Sequence, residues 1–225
     1  MRINRLGSHA DFRLDMVVLC GGEGKRMGGV NKGLVKWQGV PMILHIMDWI
    51  AAEFQSDFLR CLQKPIIWVV TNTQADEYQN YLKSYQDKLN IKIIPDRFSG
   101  YLGPLAGIDA VFADSQADWL QLIPCDCPQL PPGLVVKLAG FTSSTTPFQI
   151  ITPWDGERVQ PLFSQLHRST WPSLVHAIEQ QHLAAYRWMN QQALVEVDCS
   201  DLASGFKNIN SVRTLEDKIN EASSD

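Results

Sequence analysis

The sequence lacks both an excess of basic residues and any long apolar run. Its 225 residues include 20 Lys or Arg and 24 Asp or Glu, which gives a formal net charge of -4. Broad nucleic-acid binding depends on a basic surface, so this balance argues against it. No apolar run approaches the roughly 20 residues of a membrane-spanning helix. We therefore expect a cytoplasmic protein that binds neither nucleic acid nor a membrane.

The sequence also lacks the cysteine spacing of a disulfide framework. Its five cysteines are Cys20, Cys61, Cys125, Cys127 and Cys199. Cys125 and Cys127 resemble half of a metal site, but no second Cys or His pair stands at zinc spacing. Reduced and mostly buried thiols are therefore favoured over a zinc site.

No internal repeat, low-complexity tract or Pro/Ser-rich linker divides the chain. The length suits one domain with a substantial core. Residues 1–15 mix charges of both signs and contain no apolar signal core. We predict that they form a disordered leader or result from an upstream alternative translation start. We also predict that residues 16–225 form a single domain.

Strand-like and helix-like segments alternate through the first 140 residues. Residues 16–20 form a continuous apolar run typical of a strand buried on both faces, and residues 66–71 form a β-branched run. Further strands are predicted at residues 91–94 and 119–123. The segments between and after them predict helices at residues 42–54, 74–89, 105–113 and 131–138, and a short strand and turn at residues 33–39. This alternation predicts parallel strands joined by right-handed crossovers, with the ligand beyond the carboxyl ends of the strands.

The pattern in the second half is weaker. Residues 149–152 and 159–163 flank a turn at Trp154-Asp155-Gly156, which predicts a β-hairpin. Helices are predicted at residues 173–181 and 185–191, a strand at residues 194–198, and a last helix capped by Asn210 or Ser211. We therefore predict an α/β fold with a mostly parallel sheet and a small hairpin and helical C-terminal part.

Five glycines in nine residues follow the first predicted strand. The segment reads Gly21-Gly22-Glu23-Gly24-Lys25-Arg26-Met27-Gly28-Gly29-Val30-Asn31-Lys32. Glycines let backbone N–H groups approach an anion, and the three cations add positive charge, so the segment predicts a phosphate-binding loop. A P-loop needs Ser or Thr where Arg26 stands, and a dinucleotide fingerprint needs Gly where Met27 stands. A mobile surface loop is the alternative interpretation.

Asp126 directly follows an apolar strand, so it is expected at the ligand edge of the sheet. A carboxylate at that edge suits Mg²⁺ that bridges triphosphate oxygens. An Asp that only caps a loop remains the alternative.

These motifs resemble those of the molybdenum cofactor guanylyltransferases, the molybdopterin-guanine dinucleotide synthases. The resemblance is carried by Leu19-Cys20-Gly21-Gly22, Arg26-Met27-Gly28-Gly29, Lys32-Gly33-Leu34 and the Pro-Cys-Asp-x-Pro around Asp126. Two positions depart from the family pattern, since Cys20 replaces the usual Ala and Asn31 replaces the usual Asp. The resemblance implies a three-layer, Rossmann-like nucleotidyltransferase fold.

The resemblance also implies the roles of particular residues. It implies that Arg26, Lys32 and Asp126 are catalytic, with Asp126 binding Mg²⁺, and that the GTP-binding residues are Leu19, Cys20, Gly21, Gly22, Lys32, Asn72, Asp96, Gly103 and Asp126. Asp96 and the turn Gly103-Pro104-Leu105-Ala106-Gly107 would border guanine. Asn72 is the preferred base contact of its strand and Thr71 the alternative. The segments 158–161 and 208–211 would border the pterin.

The implied reaction transfers GMP from GTP to the terminal phosphate of molybdopterin and releases pyrophosphate. GTP and molybdopterin (the molybdenum cofactor) are then the substrates, with molybdenum-insertion proteins and molybdoenzyme chaperones as candidate partners and a monomer or weak oligomer as the expected state. Two alternatives remain. One is a cytidylyl- or sugar-phosphate nucleotidyltransferase of the same fold, and the other is a non-catalytic GTP-binding adaptor.

Overall fold

One seven-stranded sheet runs through the part of the chain that the computed structural model describes, which comprises residues 13–21, 31–61, 64–98, 102–142 and 147–209. Its strands are β1 (Leu14–Leu19), β4 (Ile66–Val70), β5 (Asn90–Ile94), β6 (Trp119–Pro124), β7 (Ile150–Trp154), β8 (Gln165–His167) and β9 (Leu194–Asp198). Their spatial order is β5-β4-β1-β6-β8-β7-β9. Two further short strands, β2 (Lys36–Trp37) and β3 (Val40–Pro41), pair with each other outside this sheet.

The first half of the sheet is parallel, as predicted. β1 pairs in parallel with both β4 and β6, and β4 pairs in parallel with β5. In the second half, β8 is antiparallel to β6 and β7, whereas β9 is parallel to β7. The chain therefore builds outward from β1 to β5 and then returns to the other side of β1, which creates a topological switch point between β1 and β6.

Seven helices accompany the sheet within the described residues. They are α1 (Met42–Glu53), α2 (Asp57–Arg60), α3 (Ala75–Leu82), α4 (Pro104–Asp114), α5 (Leu134–Ala139), α6 (Trp171–Glu179) and α7 (Ala185–Met189). Short 3₁₀ helices occur at Lys32–Leu34, Lys83–Tyr85, Pro161–Phe163, Arg168–Thr170 and Ser200–Phe206. No helix in the described part is long and apolar enough to cross a membrane.

Helices cover both faces of the sheet, because the side chains of each strand alternate between them. From β1, Leu14, Met16 and Val18 pack into one core with α1, α3 and α5. Val17 and Leu19 of the same strand pack into a second core with α4, α6 and α7. This arrangement confirms the predicted three-layer α/β fold.

Several boundaries in the first half differ from the prediction. β1 begins at Leu14 rather than at residue 16, because Asp15 is buried in the strand and accepts hydrogen bonds from Ile66 N and Trp68 Nε1, both at 2.9 Å. The predicted strand at residues 33–37 is a 3₁₀ helix followed by β2. Asn31 caps that helix by accepting a hydrogen bond from Gly33 N. Helix α3 ends at Leu82 instead of residue 89, and the chain then turns into β5.

The predicted hairpin at residues 149–163 is largely wrong. Val159 forms only an isolated antiparallel bridge with Trp154. Pro161, which has no N–H to donate to a strand ladder, then begins a 3₁₀ helix. The antiparallel partner of β7 is β8 instead. The predicted last helix after residue 210 lies outside the described residues.

Candidate active site

The carboxyl ends of four adjacent parallel strands form a cleft. Its described lining contains most of the residues named from the sequence: Leu19, Cys20, Gly21, Lys32, Asp96, Gly103 and Asp126. Val70, Pro104, Gly107, Pro124, Cys125 and Leu162 complete that lining. Asp96 follows β5 and Asp126 follows β6, so three strand spacings, roughly 14 Å, separate the two ends of the cleft.

One end of the cleft carries an ion pair between Lys32 and Asp126. Lys32 Nζ lies 2.8 Å from Asp126 Oδ2, and the two side chains are 34% and 12% exposed. Asp126 reaches this position because β6 runs in register with β1, pairing Pro124 with Leu19, so that both strands end together. The site therefore presents a lysine and a carboxylate beside Gly21, at the switch point of the sheet.

The other end of the cleft carries Asp96, held by Asn72. Asn72 Nδ2 donates to Asp96 Oδ2 at 2.7 Å, and Asp96 N donates to Asn72 Oδ1 at 2.8 Å. The register of β4 with β5, in which Val70 pairs with Ile94, places the two residues opposite each other. Burial raises the pKa of the Asp96 carboxyl, and the hydrogen bond from Asn72 lowers it.

The wall of the cleft beside Asp96 is formed by the start of α4. Gly103 has a φ of +72°, which favours glycine, and Pro104 opens the helix. A Cβ on Gly107 would lie 3.0 Å from Val70 Cγ1 and 3.3 Å from Asp96 Oδ1. Glycine at that position therefore lets α4 pack directly against the strand ends and the carboxylate.

Three thiols lie near Asp126, those of Cys20, Cys125 and Cys127. The hydrogen bond with Cys20 raises the pKa of the Cys125 thiol, with burial contributing, and burial first of all raises that of Cys127. Both are therefore protonated at neutral pH and add no charge beside Asp126. All five cysteines are free, and all except Cys61 are buried, as the sequence predicts.

The last described residues pack beside Asp126. Ile209 N donates to Asp126 O at 2.8 Å, and the Cys127 thiol donates to Asn208 Oδ1 at 2.8 Å. Of the two segments expected to border the pterin, residues 208–211 thus reach the site through Asn208 and Ile209. In the other segment, Arg158 is 74% exposed and pairs with Asp155 at 3.9 Å, and only the following Leu162 lines the cleft.

The structure differs from the sequence interpretation at a few positions. Asn72 lies beside Asp96 rather than among the described lining residues, and it contacts the cleft through that carboxylate. Gly22, Arg26 and Asn210 lie outside the described residues. Sequence reasoning missed Leu162, which carries no chemical signal, and Tyr78, which contacts Asn31 from 47 positions away.

Comparison with known proteins agrees with this geometry. The MobA-like NTP transferase domain family matches residues 16–197. A molybdenum cofactor guanylyltransferase from Photobacterium profundum is 32% identical over 203 residues, which cover 89% of this chain and 92% of that protein.

Solved structures show the same fold. Molybdopterin-guanine dinucleotide biosynthesis protein A from Archaeoglobus fulgidus aligns with a TM-score of 0.65 at 20% identity, covering 94% of this chain and all of that one. CMP:2-keto-3-deoxy-manno-octonic acid synthetase, solved with CTP, aligns with a TM-score of 0.66 at 14% identity, covering 94% and 99%.

The fold and the matching family model place the chain among the α/β nucleotidyltransferases. Within that class, the chain belongs to the family of molybdenum cofactor guanylyltransferases, and its residues 16–197 form a MobA-like NTP transferase domain.

Proposed function

We propose that this protein transfers GMP from GTP to the terminal phosphate of molybdopterin, forming a dinucleotide and releasing pyrophosphate. The observation that carries the proposal is that one cleft has Asp96 at one end and the Lys32–Asp126 ion pair at the other. Family membership supplies the identity of the acceptor, since the relatives are named for this reaction.

We assign Asp96 to guanine recognition. An ionised carboxylate accepts two hydrogen bonds, and guanine offers two neighbouring donors, N1–H and the exocyclic amine, whereas adenine and cytosine do not offer this pair. Asn72 holds one carboxylate oxygen and the backbone N–H of Asp96. In this proposal Asn72 orients Asp96 and need not touch the base itself.

We assign Lys32, the amides of Gly21 and Gly22, and Arg26 to the phosphates. A lysine at the switch point supplies a point charge for triphosphate oxygens, and the glycine-rich segment supplies N–H donors. The acceptor is a phosphate monoester, which is already an anionic nucleophile, so the reaction requires no general base. Catalysis then depends on alignment of the two phosphates and on stabilisation of charge in the transition state.

The residues present fit a Mg²⁺ ion shared with the nucleotide. Mg²⁺ prefers oxygen ligands and is commonly held by one or two carboxylates together with substrate phosphates. Asp126 offers such a carboxylate, and in the described structure its Oδ1 has only a long contact, 3.7 Å, from the Cys127 thiol. When bound, the ion would neutralise charge on the triphosphate as pyrophosphate leaves. Lys32, 2.8 Å from Oδ2, would hold the carboxylate toward the phosphates.

The test of this assignment is a nucleotide panel with purified protein, Mg²⁺ and molybdopterin. GTP should be used with a higher kcat/KM than CTP, ATP or ITP. Asp96→Asn should lower kcat/KM for GTP by about 100-fold, because the side-chain NH2 of asparagine would face an N–H donor of guanine where the carboxylate offers an acceptor. A preference for CTP would favour the cytidylyltransferase alternative. Binding of GTP without pyrophosphate release would favour the adaptor.

The cytoplasmic location, the absence of nucleic-acid binding, the protein partners and the monomeric or weakly associated state stay predictions. That the chain forms a single domain also stays a prediction, although its first strand already begins at Leu14 rather than after residue 15. Gel filtration of the purified protein across a range of concentrations would measure the oligomeric state directly.

A further inference from the structure

We propose that Asn31 is a positioning residue that couples the phosphate end of the cleft to its base end. The inference rests on the proposed function, because it concerns how Lys32 and Asp96 are aligned on one nucleotide. Asn31 replaces the Asp expected from the family motif, and it is 6% exposed. Its hydrogen bonds connect the two ends.

All four hydrogen-bonding positions of the Asn31 amide are occupied. Nδ2 donates to Thr71 Oγ1 at 3.1 Å and to Thr73 Oγ1 at 3.2 Å. Oδ1 accepts from Gly33 N at 3.3 Å and from Tyr78 OH at 2.5 Å. The Gly33 N–H can only donate, so it must face the oxygen, and this fixes the orientation of the amide.

An amide is also what Thr71 requires. The Thr71 hydroxyl donates its one proton to Thr73 O at 2.8 Å, so its oxygen is left to accept from Asn31. A carboxylate at position 31 could not donate, and Thr71 would have to turn its proton away from the Thr73 carbonyl. The asparagine therefore stabilises the loop after β4 in a way that an aspartate could not.

This loop leads directly to the base end. Thr71 and Thr73 flank Asn72, which forms the two reciprocal hydrogen bonds with Asp96. Fixing both neighbours of Asn72 restricts the backbone that carries its side chain. A change at Asn31 should therefore reach Asp96 without any direct contact between the two residues.

The phosphate end is reached through the chain itself. Asn31 caps the 3₁₀ helix Lys32–Leu34, whose first residue is the lysine paired with Asp126. The hydroxyl of Tyr78, on α3, donates a hydrogen bond to the Asn31 side-chain oxygen. Burial raises the pKa of the Tyr78 phenol, so this hydroxyl stays protonated and remains a donor. The cap therefore sets the direction in which Lys32 leaves the backbone.

The test compares GTP with ITP, which lacks the exocyclic amine that Asp96 would bind. We expect Asn31→Ala and Tyr78→Phe to lower kcat and also to lower the GTP:ITP ratio of kcat/KM several-fold. Tyr85→Phe is the matched control, because Tyr85 OH likewise donates to a side-chain oxygen, Asp48 Oδ1, at 2.5 Å. A merely structural role would reduce the active fraction and leave the ratio unchanged.

A double-mutant cycle separates coupling from independent effects. If Asn31 acts through Asn72, then Asn31→Ala should change the GTP:ITP ratio much less in an Asn72→Ala background. An unchanged ratio in both Asn31→Ala and Tyr78→Phe, or effects that multiply in the double variant, would overturn the proposal. If the wild-type enzyme forms no dinucleotide from GTP, the proposed function fails instead. The same ratios, measured as GTP and ITP dissociation constants, then still test the coupling.

Discussion

Lys32 is a residue whose importance is chemical rather than structural. Its side chain is 34% exposed, so its removal should leave the fold intact, with a moderate loss of stability because Asp126, 12% exposed, loses its counter-charge. We expect Lys32→Ala to lower kcat for GMP transfer by about 100-fold or more, since a cation positioned at developing charge contributes that much. The measurement is steady-state pyrophosphate release, with thermal unfolding as the check on folding.

Lys137 provides the matched control for that substitution. Its side chain is 32% exposed and pairs with Asp201, yet it does not line the cleft. Lys137→Ala should keep wild-type kcat and a similar melting temperature. Equal activities for the two alanine variants would contradict the role of Lys32.

The Asn72–Asp96 pair predicts a pH dependence. Burial raises the pKa of Asp96, and the Asn72 hydrogen bond opposes that rise by favouring the charged form. Asn72→Ala removes the opposing contribution, so the pKa should rise further and the ionised form should be lost at a higher pH. We therefore expect the acidic limb of kcat/KM for GTP to move to higher pH in this variant.

A pH profile of kcat/KM for both proteins measures this shift. Gln74→Ala is a suitable control, since Gln74 is exposed and bonds only locally to Glu77 among the side-chain contacts described. An acidic limb that stays in place, or moves to lower pH, would show that Asp96 is not the group being titrated.

Individual residues differ in how far the sequence could predict them. Asp96 and Asp126 could be located because each lies just beyond the end of a predicted strand, and parallel strands end at one edge. The role of Asn72 required the register between β4 and β5, which a single sequence does not contain. The hydrogen bond between Asn31 and Tyr78 joins residues 47 positions apart. The sequence of an amphipathic helix does not reveal whether its tyrosine hydroxyl will contact an apolar or a polar side chain.

At the scale of elements, the 3₁₀ helix Ser200–Phe206 packs tightly against the loop that follows Asp126. A Cβ on Gly205 would lie 2.6 Å from both Gln129 O and Pro131 N, which are backbone atoms that cannot rotate away. We expect Gly205→Ala to destabilise the protein by roughly 1–3 kcal/mol, the usual cost of overpacking. Chemical denaturation would measure the change.

Ser204→Ala is the control for this element, because Ser204 is exposed and adjacent in sequence. It should leave the free energy of unfolding close to that of the wild type. If Gly205→Ala were equally stable, the 3₁₀ helix would not be seated on residues 129–131 as the structure describes.

The elements of the first half were predictable because the central strands β1 and β4 are largely buried on both faces, so their residues 16–19 and 66–70 are continuous apolar runs. The second half was not, because β8 has only three residues and one of its two buried side chains, Gln165, is polar. Gln165 is fully buried and donates to Gln121 Oε1 and Val135 O, both at 3.0 Å. A three-residue strand that contains a buried glutamine shows no apolar run, so the prediction assigned the neighbouring residues 159–163 instead.

At the scale of the whole molecule, the strand order explains the layout of the site. The strand order β5-β4-β1-β6 places four residues in order along one edge of the sheet, namely Asp96, Asn72, Gly21 and Asp126. A nucleotide lying along the edge would have its base at β5 and its phosphates at the switch point between β1 and β6. The alternation of strands and helices predicted this edge, whereas the position of β8 between β6 and β7 required the structure.

The most direct measurement of the central claim follows the α-phosphate of GTP. Purified protein is incubated with Mg²⁺, molybdopterin and GTP labelled at the α-phosphorus, and the products are separated. We expect the label to appear in a dinucleotide that contains guanine and pterin, in equal amount to the pyrophosphate released, and CTP to give far less product. Label that remains in GTP, or a faster reaction with CTP, would contradict the account.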